Sequence, residues 1–193
     1  MAKFFFRYSA MGAGKSLDLL KVAYNYEERG MKVLMFNSQL DTRFDKNSIA
    51  SRTGISKKAS SFSETTDFYA YIHENFFNQD IKINCVLVDE AQFLKKPQVK
   101  QLRDIVNELN IPVICYGLRT DFQANLFEGS QWLLAWADII EELKTICWCG
   151  SKATMNARVV NGKVEKEGKQ IMIGGNEAYI ALCQKHFIRG QIS

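Results

Sequence analysis

The chain predicts an α/β fold: a P-loop parallel sheet flanked by helices, followed by a small metal-binding unit at the C-terminal end. Three observations carry that expectation. Short apolar runs alternate with segments of helical period through the first three-quarters of the sequence. Two of those runs lead directly into chemistry-bearing residues, Ser9 to Ser16 and Asp89-Glu90. Two close pairs of metal-ligating side chains fall within the last 50 residues.

Taken in order, Phe4 to Tyr8 reads as a short aromatic strand. Ser16 to Glu28 places Leu17, Leu20 and Tyr24 on a helical period, and Arg29-Gly30 stops it. Val33 to Phe36 is continuously apolar, as suits a parallel strand buried on both faces. Asp41 to Ser63 is polar with no clear period and is expected to be a long loop. Phe68 to Phe77 is expected to be helical. Cys85 to Val88 reads as a second buried strand. Pro97 to Leu109 is an amphipathic helix, with Pro97 in its first turn and Val99, Leu102, Ile105, Val106 and Leu109 on the buried face. Val113 to Tyr116 is a third strand, followed by Gly117. Near Lys144 the composition changes: the remaining 50 residues hold three Cys, one His and no long helical pattern. The expected division is therefore a P-loop α/β domain over 1–143 and a zinc-binding unit over 144–193.

With 47% hydrophobic residues and only 2 Pro, the make-up is that of a folded globular protein. A net charge of +4 suits a polyphosphate ligand but falls short of the basic stripe of a duplex binder, so no nucleic-acid polymer is expected as partner. No apolar run approaches the ~18 residues that cross a bilayer, so no membrane is expected either. The apolar stretch at Phe4 is too short for an export signal, which makes the cytoplasm the expected location. Thiols stay reduced there, so the five Cys are expected to be core residues or metal ligands. Cys85 and Cys115, inside apolar strands, read as core. His73 lies among aromatics in a helix and is assigned no function.

The first chemical motif is Ser9-Ala10-Met11-Gly12-Ala13-Gly14-Lys15-Ser16, which matches G-x-x-x-x-G-K-[ST] except that Ser9 replaces the first Gly. Small residues let backbone N–H groups wrap a β-phosphate, Lys15 neutralises β and γ oxygens, and Ser16 holds Mg²⁺. The strand before it and the helix after it aim the helix N-terminus at the anion. The second motif is Asp89-Glu90-Ala91-Gln92 at the end of an apolar strand, where ligands gather in such sheets. Asp89 is expected to hold Mg²⁺ and Glu90 to take a proton from the attacking oxygen. The third is Cys147-x-Cys149 with Cys183-x-x-His186, a four-coordinate set for structural Zn²⁺. Asp41 and Arg43, and the Gly117 to Phe122 stretch, follow strands and should face the phosphate edge. Arg43 or Arg119 would clamp phosphate there and Phe122 would stack on a base. A P-loop with a strand-end acid pair fits a small-molecule kinase or an ATPase acting on nucleic acid. Length favours the first, because helicases usually pair two such cores.

The ordered set resembles the thymidine kinase family of the cytosolic, tetrameric type, over nearly the whole chain. It runs through Tyr8-Ser9-Ala10-Met11, Gly14-Lys15-Ser16, Asp41-Thr42-Arg43, Ser51-Arg52-Thr53-Gly54, Asp89-Glu90-Ala91-Gln92-Phe93 and Gly117 to Phe122. It ends in Ile173-Gly174-Gly175-Asn176-Glu177, Tyr179 and Cys183-x-x-His186. Two departures from most of the family are Ser9 for Gly and C-x-C for C-x-x-C, both as in some bacterial branches. The resemblance implies transfer of the γ-phosphate of ATP to the 5′-hydroxyl of thymidine or deoxyuridine, with Glu90 as the base. It implies a zinc-bound lasso domain whose loop, about Lys163 to Tyr179, covers the nucleoside. Phe122, Ile173, Gly174, Gly175 and Tyr179 then bind substrate, and the assembly is a homotetramer.

Overall fold

The structure is a computed structural model and describes residues 1–41, 47–171 and 178–193. Its centre is a six-stranded sheet. In chain order these strands are β1 (Phe4–Ser9), β2 (Val33–Ser38), β5 (Ser60–Phe62), β6 (Cys85–Val88), β7 (Val113–Leu118) and β8 (Ile139–Glu142). Across the sheet the order is β5-β2-β6-β7-β1-β8, and every pairing is parallel. Helices α1 (Lys15–Glu27), α2 (Phe68–Asn75), α3 (Lys96–Glu108) and α4 (Glu128–Trp136) connect and cover these strands.

The apolar runs are wholly buried because the sheet is covered on both faces. Val86 and Val88 point into one cluster with Phe4, Phe6 and the Val99, Leu102, Ile105 face of α3. Cys85 and Leu87, one residue out of step, point into the other with Leu19, Leu20 and Ala23 of α1. Alternate residues of one strand thus serve opposite layers, so no polar position survives in it. Each such side chain taken fully out of water contributes about 1.5–3 kcal/mol. The Phe68 helix starts where Asp67 Oδ1 accepts from Ala70 N at 2.9 Å, and ends at Asn75; a 3₁₀ turn, Phe77–Gln79, follows.

The long loop expected over Asp41 to Ser63 is corrected. Its described part forms an antiparallel hairpin, β3 (Ser48–Ala50) with β4 (Ser56–Lys58), and then β5, which extends the sheet alongside Phe36–Ser38. Three-residue strands are too short for a two-residue alternation to register, and their serines carry no strand preference. Here neighbouring strands and the burial of Ile49 and Phe62 decide the conformation. The sequence likewise carried no reading for α4 and β8.

Beyond β8 the elements are small. Strands β9 (Thr145–Ile146) and β10 (Lys152–Ala153) form a hairpin. Strands β11 (Met155–Val160), β12 (Lys163–Glu165) and β13 (Tyr179–Leu182) form an antiparallel sheet ordered β12-β11-β13. Helix α5 (Gln184–Arg189) closes the chain. Their apolar cluster has seven buried members among the described residues, Cys147 and Cys183 included, too few to hold such a unit without a staple.

Candidate active site

Ser9 is the last residue of β1 and Lys15 the first of α1, so the phosphate-loop motif spans the turn between them. Gly12 and Gly14 hold φ of 77° and 79°, values that suit residues without a Cβ. They bring the amino end of α1 to the wall of a cavity, where helix-terminal N–H groups favour an anion. Lys15 is buried, and its Nζ donates to Ser9 Oγ at 2.9 Å and to Ala10 O at 3.4 Å. Ser9 is therefore more than a small turn residue: its oxygen holds the lysine over the loop.

Beyond Val88 the chain enters Asp89 and Glu90, both buried. Ser16 Oγ donates to Asp89 Oδ2 at 2.7 Å, which joins the two elements at the sheet's C-terminal edge. Burial first, and then the neighbouring Glu90 charge, push the Asp89 carboxyl well above the ordinary carboxylate range. Two buried acids side by side with a serine hydroxyl make a donor set that a hard divalent cation would relieve. A raised carboxyl pKa means that the fold disfavours the ionised form. Its cost to stability is absent below the unfolded value and appears as pH rises through the folded one. Asp89→Asn should therefore melt a few degrees higher than the parent at neutral pH without divalent cation, with the difference vanishing near about pH 4. Calorimetry across that range checks it; a lower melting temperature at neutral pH would show that the charge is already compensated.

Glu90 adopts φ 51° and ψ 37°, a left-handed conformation uncommon for a residue with a Cβ. Its Oε2 accepts from Gln92 Nε2 at 2.5 Å, and Gln92 Oε1 accepts from Leu118 N at 3.1 Å. The 3₁₀ turn Ala91–Phe93 thereby aims the carboxylate and ties it to the end of β7.

These groups face a cavity of about 340 Å³, of small-molecule size. Lys15, Ser16, Glu90, Phe93, Phe122 and Tyr179 are in its wall. Asp41 also lines it, while Arg43, Ile173, Gly174 and Gly175 lie outside the described residues. Arg119 does not reach the cavity wall; its guanidinium sits 5.6 Å from the Tyr8 ring centroid, so its reading as a phosphate clamp is not supported. Phe122 is 1% exposed, and the Arg158 guanidinium lies 3.6 Å from its ring centroid.

Sequence reading passed over three wall or near-wall residues. Arg52, in the turn between β3 and β4, lines the cavity; it stood in a quoted motif without a role. Asn156 accepts from Met11 N at 2.8 Å and donates to Thr120 O at 2.9 Å, so one amide from β11 joins the phosphate loop to the segment after β7. Arg158, two residues on, is fully buried. Neither belongs to a motif or a period, and no signal in the sequence marks either.

The second cluster is metal-like. Ligand atoms of Cys147, Cys149, Cys183 and His186 all lie within 4.8 Å of one another. His186 Nδ1 is 3.4 Å from both Cys147 Sγ and Cys183 Sγ, and Cys149 Sγ is 4.0 Å from Cys183 Sγ. Tetrahedral zinc with thiolate and imidazole ligands spaces its donors by about 3.5–3.8 Å, so this Cys₃His set could bind zinc. The C-x-C spacing works because Cys147–Gly150 is a tight turn at the β9–β10 hairpin tip, closed by Gly150 N donating to Cys147 O at 2.9 Å. Hydrogen bonds from Ser151 lower the Cys149 thiol to about 7, which favours the thiolate a metal needs. Trp148 stacks on His186 with ring centroids 4.3 Å apart.

A family model described as thymidine kinase matches residues 2–187. The chain belongs to the thymidine kinase family. It is 53% identical to the thymidine kinase of Legionella pneumophila (strain Lens) over 192 residues, which is 99% of this chain and 91% of the relative. It is 54% identical to those of Mannheimia succiniciproducens and Haemophilus influenzae over 188 residues, covering 97% of this chain and 95% and 96% of the relatives. Family membership agrees with the resemblance read from the ordered motifs, and the parallel sheet flanked by helices agrees with the expected fold class. Among the described residues no helix is long and apolar enough to cross a membrane.

Proposed function

We propose that this chain is an ATP-dependent thymidine kinase that phosphorylates the 5′-hydroxyl of thymidine, and of deoxyuridine, releasing ADP and the nucleoside monophosphate. One observation carries the reading: the phosphate loop, Glu90 of the acid pair and the aromatic side chains of Phe122 and Tyr179 line one cavity. In this scheme Lys15 neutralises the β- and γ-phosphate oxygens. Ser16 and Asp89 would hold Mg²⁺, which would offset phosphate charge. Glu90 accepts the proton of the 5′-hydroxyl as that oxygen bonds to the γ-phosphorus and the β–γ bridging oxygen leaves with ADP. The scheme assigns Asp41 and Arg43 to the phosphates. Ile173, Gly174 and Gly175 belong to the nucleoside side, where backbone groups would read the thymine edge. The division at 143/144, the cytoplasmic location and the homotetramer belong to the same proposal; light scattering that gives a monomer removes the last.

A panel of nucleosides incubated with ATP and Mg²⁺, scored for monophosphate by chromatography, tests the function. Thymidine and deoxyuridine should be converted and purine nucleosides should not. ATP turnover that responds to single-stranded DNA and ignores every nucleoside would overturn the reading in favour of a nucleic-acid motor.

Zinc in this scheme is structural, because four protein ligands leave no open position for water. Cys183 and His186 flank the start of α5, directly after β13 with its Tyr179, so the metal fixes one stem of the nucleoside wall. Cys183→Ser should lose most of its zinc and raise the thymidine KM more than the ATP KM. Metal analysis beside both KM values decides it; a fully active protein that contains no zinc would return the four side chains to an ordinary reduced cluster.

A further inference from the structure

Among the fully buried side chains of the described residues, Arg158 of β11 is the largest, with 2% exposure. A buried guanidinium persists only where its charge and its five donors are compensated. Its one ion pair among the described residues is weak compensation: Glu165 Oε2 is 3.8 Å away and 40% exposed. The other partners are uncharged groups, and Gln170 and Tyr179 among them line the cavity. Nη2 donates to Lys169 O at 2.9 Å and to Gln170 O at 3.3 Å. Nε and Nη2 donate to the Tyr179 hydroxyl at 3.0 and 2.8 Å. The guanidinium plane also covers Phe122 at 3.6 Å, a distance at which the cation–π attraction is large in a desolvated setting. Gly168 makes room for the crossing: a Cβ there would meet Arg158 Nη1 at 3.3 Å.

We infer that Arg158 is a positioning residue for the nucleoside: it joins the Lys169–Gln170 stretch, whose Gln170 lines the cavity, to Tyr179 across the Phe122 ring. Gln170, Tyr179 and Phe122 all line the cavity, and Gln170 Nε2 reaches on to Asp121 Oδ2 at 2.8 Å. One rigid fork therefore sets the spacing of three wall residues that come from different parts of the chain. Lysine cannot do this. It carries the charge but neither the plane that covers a ring nor the fork that serves several acceptors. Among the described residues, the hydrogen bonds of the guanidinium and its contact with Phe122 go to the nucleoside side of the cavity and not to Ser16 or Asp89, so the effect should fall on one substrate.

The inference rests on the nucleoside-kinase reading, and the experiment separates the two. Wild type, Arg158→Lys and Tyr179→Phe are compared for kcat, thymidine KM, ATP KM and melting temperature. Arg158→Lys should raise the thymidine KM by about tenfold or more while the ATP KM stays within about twofold. Tyr179→Phe keeps the ring and removes only the shared acceptor, so it should fold and move the same constant by less. If both KM values shift together with the melting temperature, or if the thymidine KM is unchanged in both variants, Arg158 is only a core residue and the inference fails. Should Arg158→Lys not fold, a Tyr179→Phe enzyme with wild-type thymidine KM overturns it alone. A wild type inactive on thymidine would defeat the functional reading instead.

Discussion

Glu90→Gln should fold, bind ATP and thymidine with near-parental affinity, and lose about 10²–10⁴-fold in kcat. The substitution is nearly isosteric, and the left-handed backbone at this position is no harder for Gln than for Glu. The Gln92 amide still finds an acceptor, because the new side chain offers a carbonyl oxygen where Oε2 stood. What disappears is the capacity to take a proton in the transition state, an interaction that ground-state binding does not use. Steady-state kinetics with equilibrium titration of both substrates measure the split. A large fall in affinity with kcat preserved would make Glu90 a binding residue and move the base elsewhere.

Lys15→Ala should abolish turnover to the limit of detection, a loss of about 10³-fold or more, since preorganised positive charge on the transferring phosphoryl group is the main catalytic contribution in such sites. Ser16→Ala should fall in the same direction through the lost hydroxyl beside Asp89. The fold should tolerate both. Lys15 opens α1 and touches loop oxygens rather than the apolar layers, so its removal leaves the packing of Leu19, Leu20 and Ala23 intact. Near-parental turnover in a folded Lys15→Ala protein would remove the phosphate loop from the mechanism.

Long or charged-ended signals were legible in the sequence, and short or three-dimensional ones were not. The buried runs at Cys85 and Val113 and the Pro97 helix are visible because parallel strands under two layers admit no polar residue and an amphipathic helix repeats its face. The phosphate loop and acid pair are visible because their chemistry works at fixed spacing. Strand β5 escaped because its identity lies in its partner Phe36–Ser38 and not in its own three residues. Asn156 and Arg158 escaped because a polar residue in a strand is legible only through what it touches, here Met11, Thr120, Phe122 and Tyr179. Arg119 is illegible for the same reason: a loop arginine after a strand can face phosphate or lie over a tyrosine, and its guanidinium sits 5.6 Å from the Tyr8 ring centroid.

The placement of β1 between β7 and β8 also governs how the chain is made. The ribosome delivers Phe4–Ser9 before the other strands of this sheet, and the two that flank it emerge more than a hundred residues later. Until then three consecutive phenylalanines have no sheet to enter, and their backbone offers two open edges to any neighbouring nascent chain. Pairings this remote in sequence also slow the final collapse. Because Ser9 carries straight on into the phosphate loop, a ribosome-bound fragment that stops short of β7 has no seated nucleotide site. The capacity to hold a triphosphate arrives with the centre of the sheet, so products truncated before β7 should neither bind nor consume ATP.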